Sequence, residues 1–151
     1  KGVTAEQMLE GASKVQQAGF KLSVMIILGL GGLENSDEHI LKTAQVISKM
    51  SPTYLSALSL MLHPGTELRR DAESGLFTPL SPYQTMNELV LLLQNIHPTS
   101  PIIFRSSHPS NFAVLGGTLP KDQPRLILES QEAMKFLENY QAPNFNDHGR
   151  F

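Results

Sequence analysis

Residues 20–32, FKLSVMIILGLGG, set the tightest limit on what this chain can fold into. Phe20, Leu22, Val24 and Ile26 alternate with polar Lys21 and Ser23, and the run then turns wholly apolar. A short, nearly continuous apolar strand suits a parallel sheet covered on both faces. Gly29, Gly31 and Gly32 close the run, and a helical pattern follows. A strand that feeds a helix through a tight corner is part of a βαβ unit, and such corners serve either as ligand sites or as packed turns.

The rest of the chain continues this alternation. Upstream, Val3, Met8, Leu9, Ala12 and Val15 recur at helical spacing, Thr4 and Gln7 form a capping box, and Gly19 stands at the C-cap. Past the corner, Asn35 or Ser36 caps a helix from about Asp37 to Lys49. Asp37 and Glu38 suit the positive end of its dipole, and Ile40, Leu41, Ala44, Val46 and Ile47 form its apolar stripe. Ser51-Pro52 ends it, and TYLSALSLML (53–62) reads as a second strand closed by the turn HPGTEL. ELRRDAESG is a short helix stopped by Gly75. In LSPYQTMNELVLLLQNI, Ser81 caps a helix, Pro82 takes its first position and Gln84 completes the box. PIIFRSS (101–107) is a third short strand, HPSNFAVLGGTLP (108–120) reads as a loop, and KDQPRLILESQEAMKFLENY is the last helix. Strands separated by helices imply parallel pairing. The expected fold is α/β: a partial (β/α) barrel over residues 1–140, with about three parallel strands and flanking helices, then a loose tail over 141–151.

Several function classes are excluded or disfavoured. Twelve Lys and Arg against fourteen Asp and Glu give a formal net charge of -2, so nothing points to nucleic acid or an anionic membrane. The chain has no cysteine, which rules out disulfides, thiolate metal sites and cysteine nucleophiles within it. No apolar stretch reaches the ~18 residues of a membrane span, and no signal peptide opens the sequence. Lys1 in place of an initiator Met reads as the start of an excised piece.

Candidate chemistry gathers where the strands end. Glycine permits positive φ and close approach of a ligand, yet the corner lacks the third glycine of a dinucleotide fingerprint and the Lys-Ser/Thr of a phosphate loop. Glu34 reads as a solvated loop carboxylate or as a support for the turn. His63 follows the second strand, as a base, a polar contact or an exposed turn residue. Arg105, Ser106, Ser107, His108 and Asn111 follow the third. No nucleophile elbow accompanies them, and two histidines without a spaced carboxylate do not make a metal site. In (β/α) architectures the carboxyl edge of the sheet holds the chemistry, so the whole rim is a stronger candidate than any one residue. Arg105, His108 and Asn111 are the candidates for substrate contacts.

The order GVTAEQMLE, AGFKLSVMIILGLGG, AQVISKMSPTYLSALSLMLHPGTEL, GLFTPLSP and SSHPSNF–GTLPKD resembles the C-terminal half of a radical SAM enzyme barrel, over roughly residues 1–135. More narrowly, it resembles the bacterial radical SAM proteins often labelled Fe–S oxidoreductases, near the coproporphyrinogen-oxidase-like and tRNA-modifying branches. The resemblance implies a 4Fe–4S cluster held by three closely spaced cysteines after the first strand. It also implies S-adenosylmethionine on the open iron, cleaved reductively to a 5'-deoxyadenosyl radical that abstracts a substrate hydrogen. The family pattern G-x-I-x-G-x-x-E supports the adenine end of that cofactor. Ile27, Leu28 and Gly29 fit its middle, Met25 stands at the first glycine, and Gly32 stands where the glutamate falls. Gly31 and Glu34 restore the G-x-x-E spacing two residues later, and Met61, Leu62 and His63 match the segment flanking adenine.

A full barrel takes ~250 residues, and its cysteines lie upstream. The chain is therefore expected to be a fragment of a cytoplasmic enzyme, binding no cluster and inactive by itself. Its substrate, small molecule or macromolecule, is not legible, and its uncovered sheet edges favour self-association. Two other readings stand beside this one: a non-catalytic module for an adenosine-like ligand, and a small hydrolase using His63 or His108 with a nearby serine.

Overall fold

The computed structural model describes residues 2–138. Its elements in chain order are α1 (Ala5–Gln17), β1 (Ser23–Leu28), α2 (Ser36–Met50), β2 (Tyr54–Ser59), α3 (Glu67–Ser74), α4 (Pro82–Asn95), β3 (Ile102–Ser106), β4 (Leu115–Leu119) and α5 (Gln123–Leu137). The tail expected over 141–151 lies outside the described residues.

The four strands form one open sheet in the order β1-β2-β3-β4. β1 pairs parallel to β2 and β2 to β3, as expected, but β4 runs antiparallel to β3. The sheet is thus mixed, and the segment read as a loop over 108–120 contains a strand. Gly116 and Gly117 explain the misreading, because they remove the side chains that would mark a strand. Their small size is what the fold uses. A Cβ at Gly116 would lie 3.3 Å from Nη1 of Arg105, and one at Gly117 would lie 2.9 Å from Cβ of Asp122. Arg105 therefore crosses one face of β4, while Asp122 packs on the other.

The apolar run of β1 does not mean two covered faces. Ile26, Leu28, Leu55, Ala57, Ile102, Phe104, Leu115 and Leu119 are buried beneath the helices. The alternate residues Met25, Ile27, Tyr54 and Arg105 are exposed, with Ser56, Leu58 and Ile103 half-buried between them. Met25 is 73% exposed and Ile27 41%. Four of the helices make one layer: α1 packs on α2, α2 on α4, and α4 on α5. Ile40, Ala44 and Ile47 of α2 and Leu89, Leu92 and Leu93 of α4 supply the buried apolar side chains of that layer. Leu41, expected in the stripe, is exposed. The Gln16 amide donates to the carbonyls of Met50 and Ser51, so α1 and α2 end side by side and run the same way.

Both capping boxes form with both reciprocal bonds, Thr4 with Gln7 and Ser81 with Gln84. α2 differs. Asn35 occupies its N-cap without a side-chain bond, and the Ser36 hydroxyl is directed elsewhere.

Candidate functional site

Parallel pairing fixes which edge each strand leaves by. β1 ends at Leu28, β2 at Ser59 and β3 at Ser106 on the same carboxyl edge, and β4 starts there, since Leu115 pairs with Ser106. The segments 29–34, 60–66 and 107–114 are thereby gathered into one rim.

At that rim the glycine corner is closed by the protein itself. Gly29 (φ 82°) and Gly32 (φ 65°) adopt the left-handed conformation. Gly32 N–H donates to the Gly29 carbonyl at 3.1 Å, and Leu33 N–H to the Thr78 carbonyl at 2.8 Å. A Cβ at Gly31 would sit 2.7 Å from Cβ of His39, and one at Gly32 would sit 2.9 Å from the Phe77 ring. The space that glycine leaves at 31 and 32 is occupied by α2 and the 75–81 segment, so these glycines serve close packing rather than an approaching ligand.

Behind the corner lies a residue that sequence reasoning missed. Glu88 of α4 is fully buried. Its carboxylate accepts from Gly29 N–H at 2.7 Å and from the Ser36 hydroxyl at 2.7 Å. Nδ1 of His39, itself buried and without a hydrogen-bond partner, lies 3.8 Å away. One carboxylate thus ties the end of β1 to the start of α2. The available signal was a glutamate inside the apolar stripe of an otherwise hydrophobic helix, because a buried acid demands partners.

Glu34 is exposed and accepts from the Thr78 hydroxyl at 2.8 Å. That bond, followed by its own backbone N–H, holds its carboxyl below the usual range. The bond contributes above the ordinary carboxylate pKa and is lost as pH falls through the lowered one. Thr78→Ala is expected to raise the Glu34 titration toward the ordinary range, read from the side-chain carbonyl carbon shift by NMR. Beside Glu34, a shallow groove of about 430 Å³ is lined by Asp37, Glu38, Leu80 and Asn87 among others, an acidic rather than phosphate-binding surface.

The second rim segment is more open. The His63 carbonyl accepts from the backbone and hydroxyl of Thr66, which sets the turn. Met61 is exposed, as is the His63 side chain, while Leu62 is half-buried. Ile27 stands on the uncovered sheet face and not in the corner.

At the third segment the structure separates the three substrate candidates. The Asn111 carboxamide is wholly engaged, donating to the carbonyl of Ala57 and to Oγ of Ser106 and accepting from the backbone and hydroxyl of Ser59. His108 is exposed, with Nδ1 held by Ser110. The Ser110 hydroxyl lies 2.8 Å from Nδ1, whereas the serine of a hydrolase triad pairs with Nε2 and leaves Nδ1 to the carboxylate. No carboxylate pairs with His108 among the described residues, so the third member of a triad is lacking there. Arg105 donates to the Phe104 carbonyl and has no ion pair among the described residues, which leaves charge available on the uncovered face.

Among the described residues no group of His, Asp or Glu is arranged to hold a metal. None of their helices is long and apolar enough to cross a membrane. The chain matches no family model, no curated protein and no solved structure.

Proposed function

We propose that this chain is the later part of a radical SAM-type barrel enzyme of the cytoplasm, with the gathered rim as its ligand-facing edge. One observation carries the reading. Three parallel strands follow one another in space as they do in sequence, with the crossover helices α2 and α4 on one side, leaving a mostly apolar face bare. A doubly wound sheet reverses its strand order and places helices on both faces, whereas a barrel does neither. In this reading the bare face is the inside of the barrel. Further strands continue from the free edge of β1, where α1 already occupies the position of a preceding crossover.

The fit to the implied groups is uneven. A 4Fe–4S cluster takes thiolate ligands, and this sequence holds no cysteine, so no residue here ligates it. For S-adenosylmethionine, the glycine corner offers no free N–H at 29, 32 or 33 and no room at 31 or 32. The adenosine contact therefore falls to Met61–His63 and to Ile27, with Glu34 supporting the corner from outside. Arg105 and His108 remain as substrate-side groups, and Asn111 moves from ligand contact to support. In this reading the bare face and the β1 edge are also where the chain, when alone, is expected to self-associate.

The test is the longer reading frame and its product. A C-x-x-x-C-x-x-C motif about a hundred residues upstream is expected, with ~4 iron atoms bound per full protein. A frame without that motif sinks the proposal.

A further inference from the structure

We propose that Asn111 is a positioning residue of the rim, closing the split between β2 and β3 with its carboxamide and thereby fixing His108 as a hydrogen-bond donor through Nε2–H. The inference rests on reading the carboxyl edge as the ligand-facing rim.

β2 and β3 pair only as far as Ser56 and Arg105. The next rung of a parallel ladder sets a residue opposite Leu58, its N–H on the Ala57 carbonyl and its C=O on Ser59 N–H. The Asn111 side chain makes that pair of bonds. Nδ2 donates to the Ala57 carbonyl at 2.8 Å, and Oδ1 accepts from Ser59 N–H at 2.7 Å. Its second N–H goes to Oγ of Ser106 at 2.9 Å, and the Ser59 hydroxyl adds a bond to Oδ1 at 3.1 Å. Both donors and both acceptor positions of the carboxamide are thus filled. A side-chain amide replaces a peptide unit where the two strands part, and it anchors the 107–114 loop to the floor of the split.

Ser110 carries that anchorage to His108. Ser59 N–H also reaches Oγ of Ser110, at 3.1 Å. The Ser110 backbone N–H lies 3.1 Å from Nδ1 of His108, and the Ser110 hydroxyl lies 2.8 Å from it. A backbone N–H can only donate, so Nδ1 is the acceptor and the neutral ring carries its proton on Nε2. Nε2 takes no hydrogen bond among the described residues. It is offered to a ligand oxygen or pyridine-type nitrogen, and in the neutral ring it is not a base.

Long-range proton–nitrogen NMR on ¹⁵N-labelled protein at about pH 8, where a free imidazole is neutral, reads the ring directly. A pyridine-type shift at Nδ1 and a pyrrole-type shift at Nε2 of His108 are expected, with slow amide exchange at Ser59. Asn111→Ala is expected to speed Ser59 exchange about tenfold or more and to move the His108 shifts toward those of a free histidine. Ser110→Ala removes the hydroxyl from Nδ1 and from Asn111 Oδ1 but keeps the backbone N–H on Nδ1 and the Asn111 bonds to Ala57, Ser59 and Ser106. Ser59 therefore stays slow, and Nδ1 stays pyridine-type with a shift moved by the lost hydroxyl bond, which decides the matter if Asn111→Ala does not fold. A proton on Nδ1 in the parent protein overturns the proposal, as do His108 shifts indifferent to these variants. No ligand or cluster enters the measurement, so its failure is distinct from a missing upstream cysteine motif.

Discussion

Glu88→Leu is expected to destabilise the folded chain by about 3 kcal/mol, measured by urea unfolding. The size follows from what the substitution strands. Gly29 N–H and the Ser36 hydroxyl both donate to the carboxylate, and a leucine offers neither of them an acceptor. Each buried polar group left unpaired costs about 1–3 kcal/mol. Relief from burying a charge offsets part of that loss, which keeps the net below the sum. Glu88→Gln is expected to lose only about 1 kcal/mol, because one amide oxygen still accepts from Gly29 and the hydroxyl of Ser36 can turn to accept from the amide. If the leucine variant unfolds at the parent urea concentration, the carboxylate is not what holds the corner.

Gly31→Ala is expected to destabilise by about 3 kcal/mol, more than Gly65→Ala at about 1 kcal/mol. The order is informative because Gly65 has φ 82° while Gly31 carries no positive φ. A rule based on glycine conformation alone predicts the reverse. At Gly65 a new methyl meets nothing within 4 Å, so only left-handed strain enters. At Gly31 it meets Cβ of His39 at 2.7 Å and the Asn35 carbonyl at 2.9 Å, both fixed to the first turn of α2. Neither atom is the far end of a flexible side chain, so the helix start itself must move. Thermal melts of the two variants side by side test the order. Equal melting temperatures would show that the corner has slack, which would restore room for a ligand there.

The parts of the fold legible in the sequence are those fixed within a few residues. Thr4 with Gln7 and Ser81 with Gln84 cap their helices through bonds three residues long, so spacing alone identifies them. The common edge of the three strand ends follows from helices placed between strands, which forces parallel pairing. What stayed hidden depends on distant partners. Glu88 finds its donors 52 and 59 residues away, and nothing in its own helix names them. Asn111 reads as a polar rim residue because its partners are main-chain groups of β2, which no side-chain pattern reveals. β4 was missed because the two glycines that let Arg105 and Asp122 lie against it erase the alternation that marks a strand. The corner itself reads as a ligand cradle or a packed turn on local grounds, and the positions of His39 and Phe77 decide for the turn.

The sheet order has a further consequence for how the chain is made. Since β1, β2, β3 and β4 lie side by side in the sequence in which they are synthesised, each strand leaving the ribosome meets its partner already in place. No early strand waits for a late one to insert between its neighbours. Nascent chains halted after Asn95 are therefore expected to hold the β1–β2 pair under α2, with protection from proteolysis growing outward one strand at a time.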